Sequence, residues 1–430
     1  MGKLNIFVIV LANPQAVYLA GQVVQGHVTV ELNEEMKMRG IRLKFKGHAR
    51  VHWSETHSTG SGKNRRTHTK HYSASEDYFD SEILLFGRWP KQEGQDFLHP
   101  VGRHSYPFAF QLPPNLPSSF EGAHGFVRYH FDGVIDKPWK FDHKTKAAFT
   151  VISHLDLNQD PSALQPLQGQ NSKTLCCLCC ASGPISAVFR LDRRGYVPGE
   201  AISINAEVDN KSNRQMDSSF VSLNLVTIFH ATTKSRTVSR QVAKISHGLI
   251  EPGDTDIWVA NRDRLVLPPL PPSYLRGCTI IDIQYILEFH VDPSGPSFDL
   301  IVPLEVLVGT VPLYSIVQQN PPMFPPQPNL PFLPPPMPAE VPGPSTGFEK
   351  SYRPSEEVPQ APFHAAGPSV SSDIPNMPPP SYSECVFGKV NIKDEGDDEH
   401  TRGNLDYAPV YTYYDWGHTP SAPPPEPQHQ

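Results

Sequence analysis

A chain of 430 residues is long enough for two or three domains, each burying a core of its own. Of its 47 prolines, 26 fall from Pro321 onward, where 5 Lys+Arg face 14 Asp+Glu for a net of −9, against −7 for the whole chain. The balance describes a nearly neutral body followed by an acidic, proline-rich tail, and it offers nucleic acid no broad basic face.

The N-terminus "MGKLNIFVIVLA" imitates a short signal peptide, with one Lys ahead of a brief apolar run. No run of about 18 apolar residues follows anywhere, so no membrane-spanning helix is expected. Residues 1 to 310 continue as short alternating or apolar runs, among them "QGHVTVEL", "GIRLKFKGHARVHW", "GFVRYHFDGVI", "SSFVSLNLVTIFHA" and "IQYILEFHV", separated by Gly, Pro, Asn and Asp. Their period of two and the absence of a sustained helical period predict an all-β chain at the spacing of immunoglobulin-type β-sandwiches.

The runs repeat. "VYLAGQVVQGHVTVEL" aligns with "GYVPGEAISINAEVDN" at an offset of 178 residues, matching Tyr18, Gly21, Gln22 and Val24 to Tyr196, Gly199, Glu200 and Ile202. At that offset "FVIVLA" falls on "ISAVFR", which makes the N-terminal run a first strand instead of a leader. Further on, Leu112-Pro113-Pro114 matches Leu267-Pro268-Pro269 and Tyr129 matches Tyr285, at an offset of about 155. The difference predicts an insertion in the first copy, assigned to the polar loop "SETHSTGSGKNRRTHTKHYSAS". The expected division is a sandwich at 1–155, a linker at 156–182, a second sandwich at 183–313, and an unpacked tail at 314–430.

Candidate chemistry is sparse. The "GSGK" at Gly60 to Lys63 has Asn64 where a phosphate-binding loop has Ser or Thr, and no strand-to-helix context, so it is expected to be a hairpin tip. Lys63, Arg65, Arg66 and Lys70, with His57, His68 and His71, fit either anionic lipid or phosphorylated segments on one hand, or a solvated loop on the other; the lack of interleaved aromatics favours the latter. His48 and His52 share a strand face about 13 Å apart, too far for one metal. No catalytic constellation, metal site or cofactor site is expected.

Four of the six cysteines form "LCCLCC", Cys176, Cys177, Cys179 and Cys180, a spacing unsuited to disulfides or to a tetrahedral zinc ion. Small apolar residues entering the second domain's first strand is the favoured reading, with reversible S-acylation beside a membrane as its alternative.

The string Pro-Pro-Ser-Tyr occurs twice. Pro271 to Tyr274 falls where the first copy has Pro117 to Phe120, a strand connection ending in an aromatic, so it is expected to be packed. Pro379-Pro380-Ser381-Tyr382 lies in the tail, where extended polyproline conformation suits an aromatic WW-domain groove. Ala408-Pro409-Val410-Tyr411 resembles a weaker second site without its first proline, and Pro420-Ser421-Ala422-Pro423 has the form of an ESCRT-I-binding late-domain motif.

Taken in order, "LPPNLPSSFEGAHGFVRY" with "KPWK" after it, "KTLCCLCC" before "SGPIS", "RRGYVPGE" and "VPLEVLVGTVPL" resemble the α-arrestins, the arrestin domain-containing proteins. The resemblance covers about 310 residues plus the tail motif. It implies two arrestin-like sandwiches in the cytosol, engaging membrane receptors or transporters as cargo at the plasma membrane and endosomes. Pro379, Pro380 and Tyr382 would then contact WW domains of HECT-type ubiquitin ligases, so that cargo is ubiquitinated and internalised. The alternative is an arrestin-fold sorting scaffold that works without a ligase. The second motif departs from the family's two intact copies, and "QVAKISHGLIEPGDTDIW" lacks the cysteine of the thioredoxin-interacting member.

Overall fold

The structure is a computed structural model that describes residues 3–60, 65–177, 180–323, 381–385, 387–394, 397 and 401–417. The first sandwich faces a three-stranded sheet of Leu4–Leu11, Val23–Leu32 and Gly102–Gln111 onto a larger sheet, ordered Val17–Leu19, His143–Ile152, Gly125–Asp136, Gly40–Thr59 and Arg66–Gly87. The second repeats that path as Gly195–Tyr196, Leu300–Val308, Ile281–Pro293, Met216–His230 and Ser235–His247, opposite Cys180–Leu191, Asn205–Asn210 and Thr255–Trp258. Alternating burial carries this arrangement: in Ile281–Pro293 every second residue is buried, including Ile281, Ile283, Tyr285, Leu287, Phe289 and Val291.

The duplication holds at the level of single bonds. In the first copy the Leu19 N–H donates to Gln22 Oε1 at 2.9 Å and the Gly21 N–H to the Pro113 carbonyl at 3.0 Å. In the second the Val197 N–H donates to Glu200 Oε2 at 3.0 Å and the Gly199 N–H to the Leu267 carbonyl at 2.9 Å. Gly21 and Gly199 adopt φ of +84° and +94°, which a side chain resists, so glycine recurs at that place in both turns. Farther on, the Tyr129 hydroxyl donates to the Pro117 carbonyl at 2.7 Å, and the Tyr285 hydroxyl to the Pro271 carbonyl at 2.7 Å. Each buried phenol thus pins the connection that leads into its own strand.

Three expectations change. Residues 156–182 are not a free linker: Leu167–Cys177 is the edge strand of the second sandwich, antiparallel to Cys180–Leu191, and only a short connector with Asp156- and Asp160-capped turns precedes it. The strand looks linker-like in sequence because an edge strand leaves most of its side chains in water. The polar loop of the first copy is likewise strand on both sides, paired through His57↔His68 and Thr59↔Arg66, with its tip at 61–64 outside the described residues. This longer hairpin reaches the second sandwich, where Lys234 Nζ lies 2.7 Å from Glu55 Oε2 and the Thr279 N–H donates to Glu76 Oε1 at 3.0 Å. Finally, residues beyond 313 are packed in part: a short helix, Tyr314–Gln319, buries Val317 against the body, and the described residues between 381 and 417 dock on both sandwiches.

Candidate functional site

The docked tail is the site that this architecture builds. Ser381–Glu384 pairs antiparallel with Val410–Tyr413, Val390–Asn391 pairs with Asp406–Tyr407, and Thr401–Asn404 adds in parallel to the Lys144–Ala147 edge of the first sandwich. The sequence between 405 and 416 supplies the reason. Tyr407, Tyr411, Tyr414 and Trp416 are all buried, each able to remove roughly 150–250 Å² from water, and that offsets the entropy of ordering a polar chain.

Every ring also finds a polar partner on the body. The Tyr411 hydroxyl donates to the Ser119 carbonyl at 2.9 Å, and Tyr407 Oη lies 3.1 Å from Thr150 Oγ1, both in the first sandwich. The Tyr414 hydroxyl donates to the Thr310 carbonyl at 2.9 Å, in the second sandwich's domain, and the Trp416 indole to the Asn320 carbonyl at 2.9 Å, just beyond it. The tail therefore ties the two sandwiches together. Tyr414 packs in a cluster with Leu155, Leu157, Val197 and Leu313, and its N–H donates to the Pro198 carbonyl at 3.1 Å. That seat exists because the neighbouring residue is Gly199, where an added Cβ would stand 1.8 Å from the Tyr414 carbonyl oxygen.

An ionic anchor holds the other end. Lys146, its side chain only 2% exposed, places Nζ 2.6 Å from Asp397 Oδ2 and 3.0 Å from Asp394 Oδ2, with Asp132 Oδ1 at 3.9 Å. Burial alone would lower the lysine's pKa, but Asp397, Asp132 and Asp394 together outweigh it and raise it. Asp394 is the mirror case: burial pushes its carboxyl up, and Lys146 pulls it further down, below the usual carboxylate range. Beside this anchor His130 Nε2 lies 3.7 Å from Asp394, and His48 stacks edge-on to His130, with neither His48 ring nitrogen hydrogen-bonded among the described residues. Burial, then the His130 charge, lowers the His48 pKa to about 3.

The sequence-derived candidates scatter across this site. Ser381 and Tyr382 form the first tail strand, half-buried, and burial raises the Tyr382 phenol pKa, while Pro379 and Pro380 lie outside the described residues. Pro409 and Tyr411 are buried in the crevice, so the weaker motif faces inward. The two motifs are strand partners: Ser383 stands opposite Tyr411 and Tyr382 opposite Thr412. Pro420, Ser421, Ala422 and Pro423 lie outside the described residues. In the cysteine cluster Cys177 pairs across a hairpin with Cys180, and Cys179 lies outside the described residues.

The other Pro-Pro-Ser-Tyr copy is architecture in most of its parts. Ser273 is buried and its Oγ accepts from the Val308 N–H at 2.9 Å, as Ser119 Oγ accepts from Val151 at 3.0 Å in the first copy. Tyr274 differs from its counterpart Phe120: it sits at φ of +70°, half-buried, and accepts a hydrogen bond from Arg194 Nη2 at 3.1 Å. The docked tail, Lys146 and the His48–His130 pair escaped the sequence reading. The dense aromatics of "DYAPVYTYYDW" were the available signal, since an unpacked acidic tail has no use for five of them.

Two paired sandwiches with this strand path are those of arrestins. Residues 7–158 match the family "Arrestin (or S-antigen), N-terminal domain" and residues 181–313 match "Arrestin (or S-antigen), C-terminal domain". Arrestin domain-containing protein 17 of Caenorhabditis elegans is 30% identical over 441 residues, covering 96% of this chain and 100% of that protein. Arrestin domain-containing protein 4 of Mus musculus is 33% identical over 70% of this chain and 71% of its own, and arrestin domain-containing protein 1 of Homo sapiens is 28% identical over 72% and 66%. The chain belongs to the arrestin domain-containing, or α-arrestin, family. An arrestin-like adaptor role in trafficking follows at that level. Among the described residues no helix is long and apolar enough to cross a membrane.

Proposed function

We propose that the protein is an adaptor that brings WW-domain HECT-type ubiquitin ligases to membrane receptors or transporters, so that cargo is ubiquitinated, internalised and sorted through endosomes. The observation that carries the reading is the contrast between the two Pro-Pro-Ser-Tyr copies. Pro271 to Ser273 are locked in the second sandwich, whereas Tyr382 lies in the first strand of the docked tail and is only half-buried. Pro379, Pro380 and Tyr382 are the ligase contacts. Pro409 and Tyr411 become a second, weaker contact only when the tail leaves its crevice, and Pro420 to Pro423 would contact ESCRT-I. The protein supplies proximity and no chemistry of its own.

Tandem WW domains titrated onto the full chain test this. Tyr382→Ala is expected to weaken binding more than about tenfold, and Tyr274→Ala to leave it unchanged. If Tyr382→Ala alters neither WW binding nor ubiquitination of the protein in cells, the ligase-independent sorting scaffold is the better description.

A further inference from the structure

The far end of the first sandwich carries a surface that the tail site does not use. The turn 137–142, joining Gly125–Asp136 to His143–Ile152, leaves Trp139 wholly in water and Phe141 79% exposed. They border an open cleft of about 1020 Å³ whose charged walls are Arg39, Lys137, Lys140 and Arg402 against Asp142. Arg39 is paired with Asp136 at 2.7 Å, so among the described residues of the cleft three cations, Lys137, Lys140 and Arg402, face the one carboxylate of Asp142, with Lys137 Nζ 2.9 Å from His143 Nε2. Burial and then the neighbouring Lys140 hold the Lys137 ammonium below its ordinary range, against the opposing pull of Asp142.

We propose that this end of the first sandwich seats the protein on an anionic lipid bilayer, with Trp139 and Phe141 entering the interface and Lys137, Lys140 and Arg402 meeting lipid phosphates. The geometry is stable enough to present the rings: the Lys137 N–H donates to Asp142 Oδ1 at 3.0 Å and Arg39 Nη2 donates to the Lys137 carbonyl at 3.1 Å, while Trp139 is held at φ of +60°. An indole costs least at the boundary between headgroups and acyl chains, and lysines beside it keep their charge among phosphates. A phosphorylated protein segment would take the cations but offers two solvent-exposed rings no apolar phase to enter, so the bilayer is the occupant.

The surface continues. Arg39 accepts from the Arg88 N–H at 2.9 Å, and the strand before it pairs Met38 with Phe97, so Trp89, Phe97, Leu98 and Val101, all exposed, belong to the same end. The homologous turn of the second sandwich provides a built-in comparison. It exposes Phe298 by 90%, but Asp292 and Asp299 flank it, and Lys173, which donates to the Phe298 carbonyl, and Arg214, beside Gly295, balance those acids instead of building a cationic surface. The seat is therefore one-sided, and it is independent of the ligase reading.

The test is sedimentation of the full chain with vesicles of phosphatidylcholine, with and without about 30% phosphatidylserine, at about 0.1 M salt. Binding is expected only with phosphatidylserine, with a blue shift of tryptophan emission that Trp139→Phe removes. Trp139→Ala with Phe141→Ala, and separately Lys140→Glu, should each cut partitioning about tenfold or more, while Phe298→Ala leaves it intact. Melting temperatures verify folding, and Lys140→Glu, at an exposed position, carries the test if the aromatic pair variant fails to fold. The proposal is overturned by absence of binding, by binding unchanged in these variants, by equal loss in Phe298→Ala, or by soluble inositol hexaphosphate binding as tightly without need of the rings.

Discussion

Replacing Asp394 and Asp397 together by Asn isolates the ionic anchor of the tail. Both carboxylates touch a lysine that is 2% exposed, so their loss strands an ammonium in a place water does not reach. Removing one side of a buried pair costs about 3–5 kcal/mol, and Asp132 at 3.9 Å remains to compensate part of it, which sets the effect at about 2–3 kcal/mol. The protein can relieve that cost by lifting the tail, since Thr401–Asn404 is held to the body by one parallel edge. The opening equilibrium should rise about 30- to 150-fold. Native-state hydrogen exchange reads this directly: amides of 401–404 and 410–413 should lose protection by that factor, while the core strand Tyr285–Val291 keeps its own. Tandem WW affinity should rise in parallel, because the competent fraction grows. Protection within about twofold of the parent at 401–413 would mean that the aromatics alone hold the tail and that the anchor argument is wrong.

The duplicated turns give a paired prediction. Gly21→Ala meets only Pro114 at 3.5 Å and should cost about 1 kcal/mol of melting stability from its left-handed backbone, whereas Gly199→Ala collides with the Tyr414 carbonyl and should in addition unprotect residues 410–416. Tyr129→Phe and Tyr285→Phe each leave a buried carbonyl unpaired and should lower stability by about 1–3 kcal/mol by denaturant titration. For pH, His48 has a folded pKa of about 3, below the ordinary 6.5, so its contribution is complete above pH 6.5 and is lost as pH falls toward 3. Asp394, also lowered, acts in the same direction at the acid end. Melting curves from pH 7 to 4 should fall by at most about 1.4 kcal/mol per unit on account of His48, and His48→Leu should flatten that slope.

What could be read from sequence and what could not divide along the range of the interactions. The Tyr18/Tyr196, Gly21/Gly199 and Tyr129/Tyr285 matches were visible because each belongs to a local turn or strand whose period and punctuation lie within a few residues. The edge strand Leu167–Cys177 was misread as linker because its exposure pattern resembles that of a solvated chain. The docking of Tyr411 on Ser119 spans 292 residues, and no local pattern encodes a partner so distant. Lys146 looked like one more alternating surface lysine, since its burial is created by Asp394 and Asp397, which arrive about 250 residues later.

That distance has a consequence during synthesis. Chain emerges from a ribosome at about 5–20 residues per second, so roughly 100 residues after the second sandwich completes its last strand at Val308 must pass before Tyr411 appears. For several seconds the nascent protein is a finished pair of sandwiches with an uncovered seam, in which Phe120, Leu225 and Phe229 face the opening that Phe387 and Pro409 will later line. The chain's own end then enters that seam from a tether, at an effective concentration that no free partner matches. Whatever else binds there must either arrive within that interval or wait for the tail to let go.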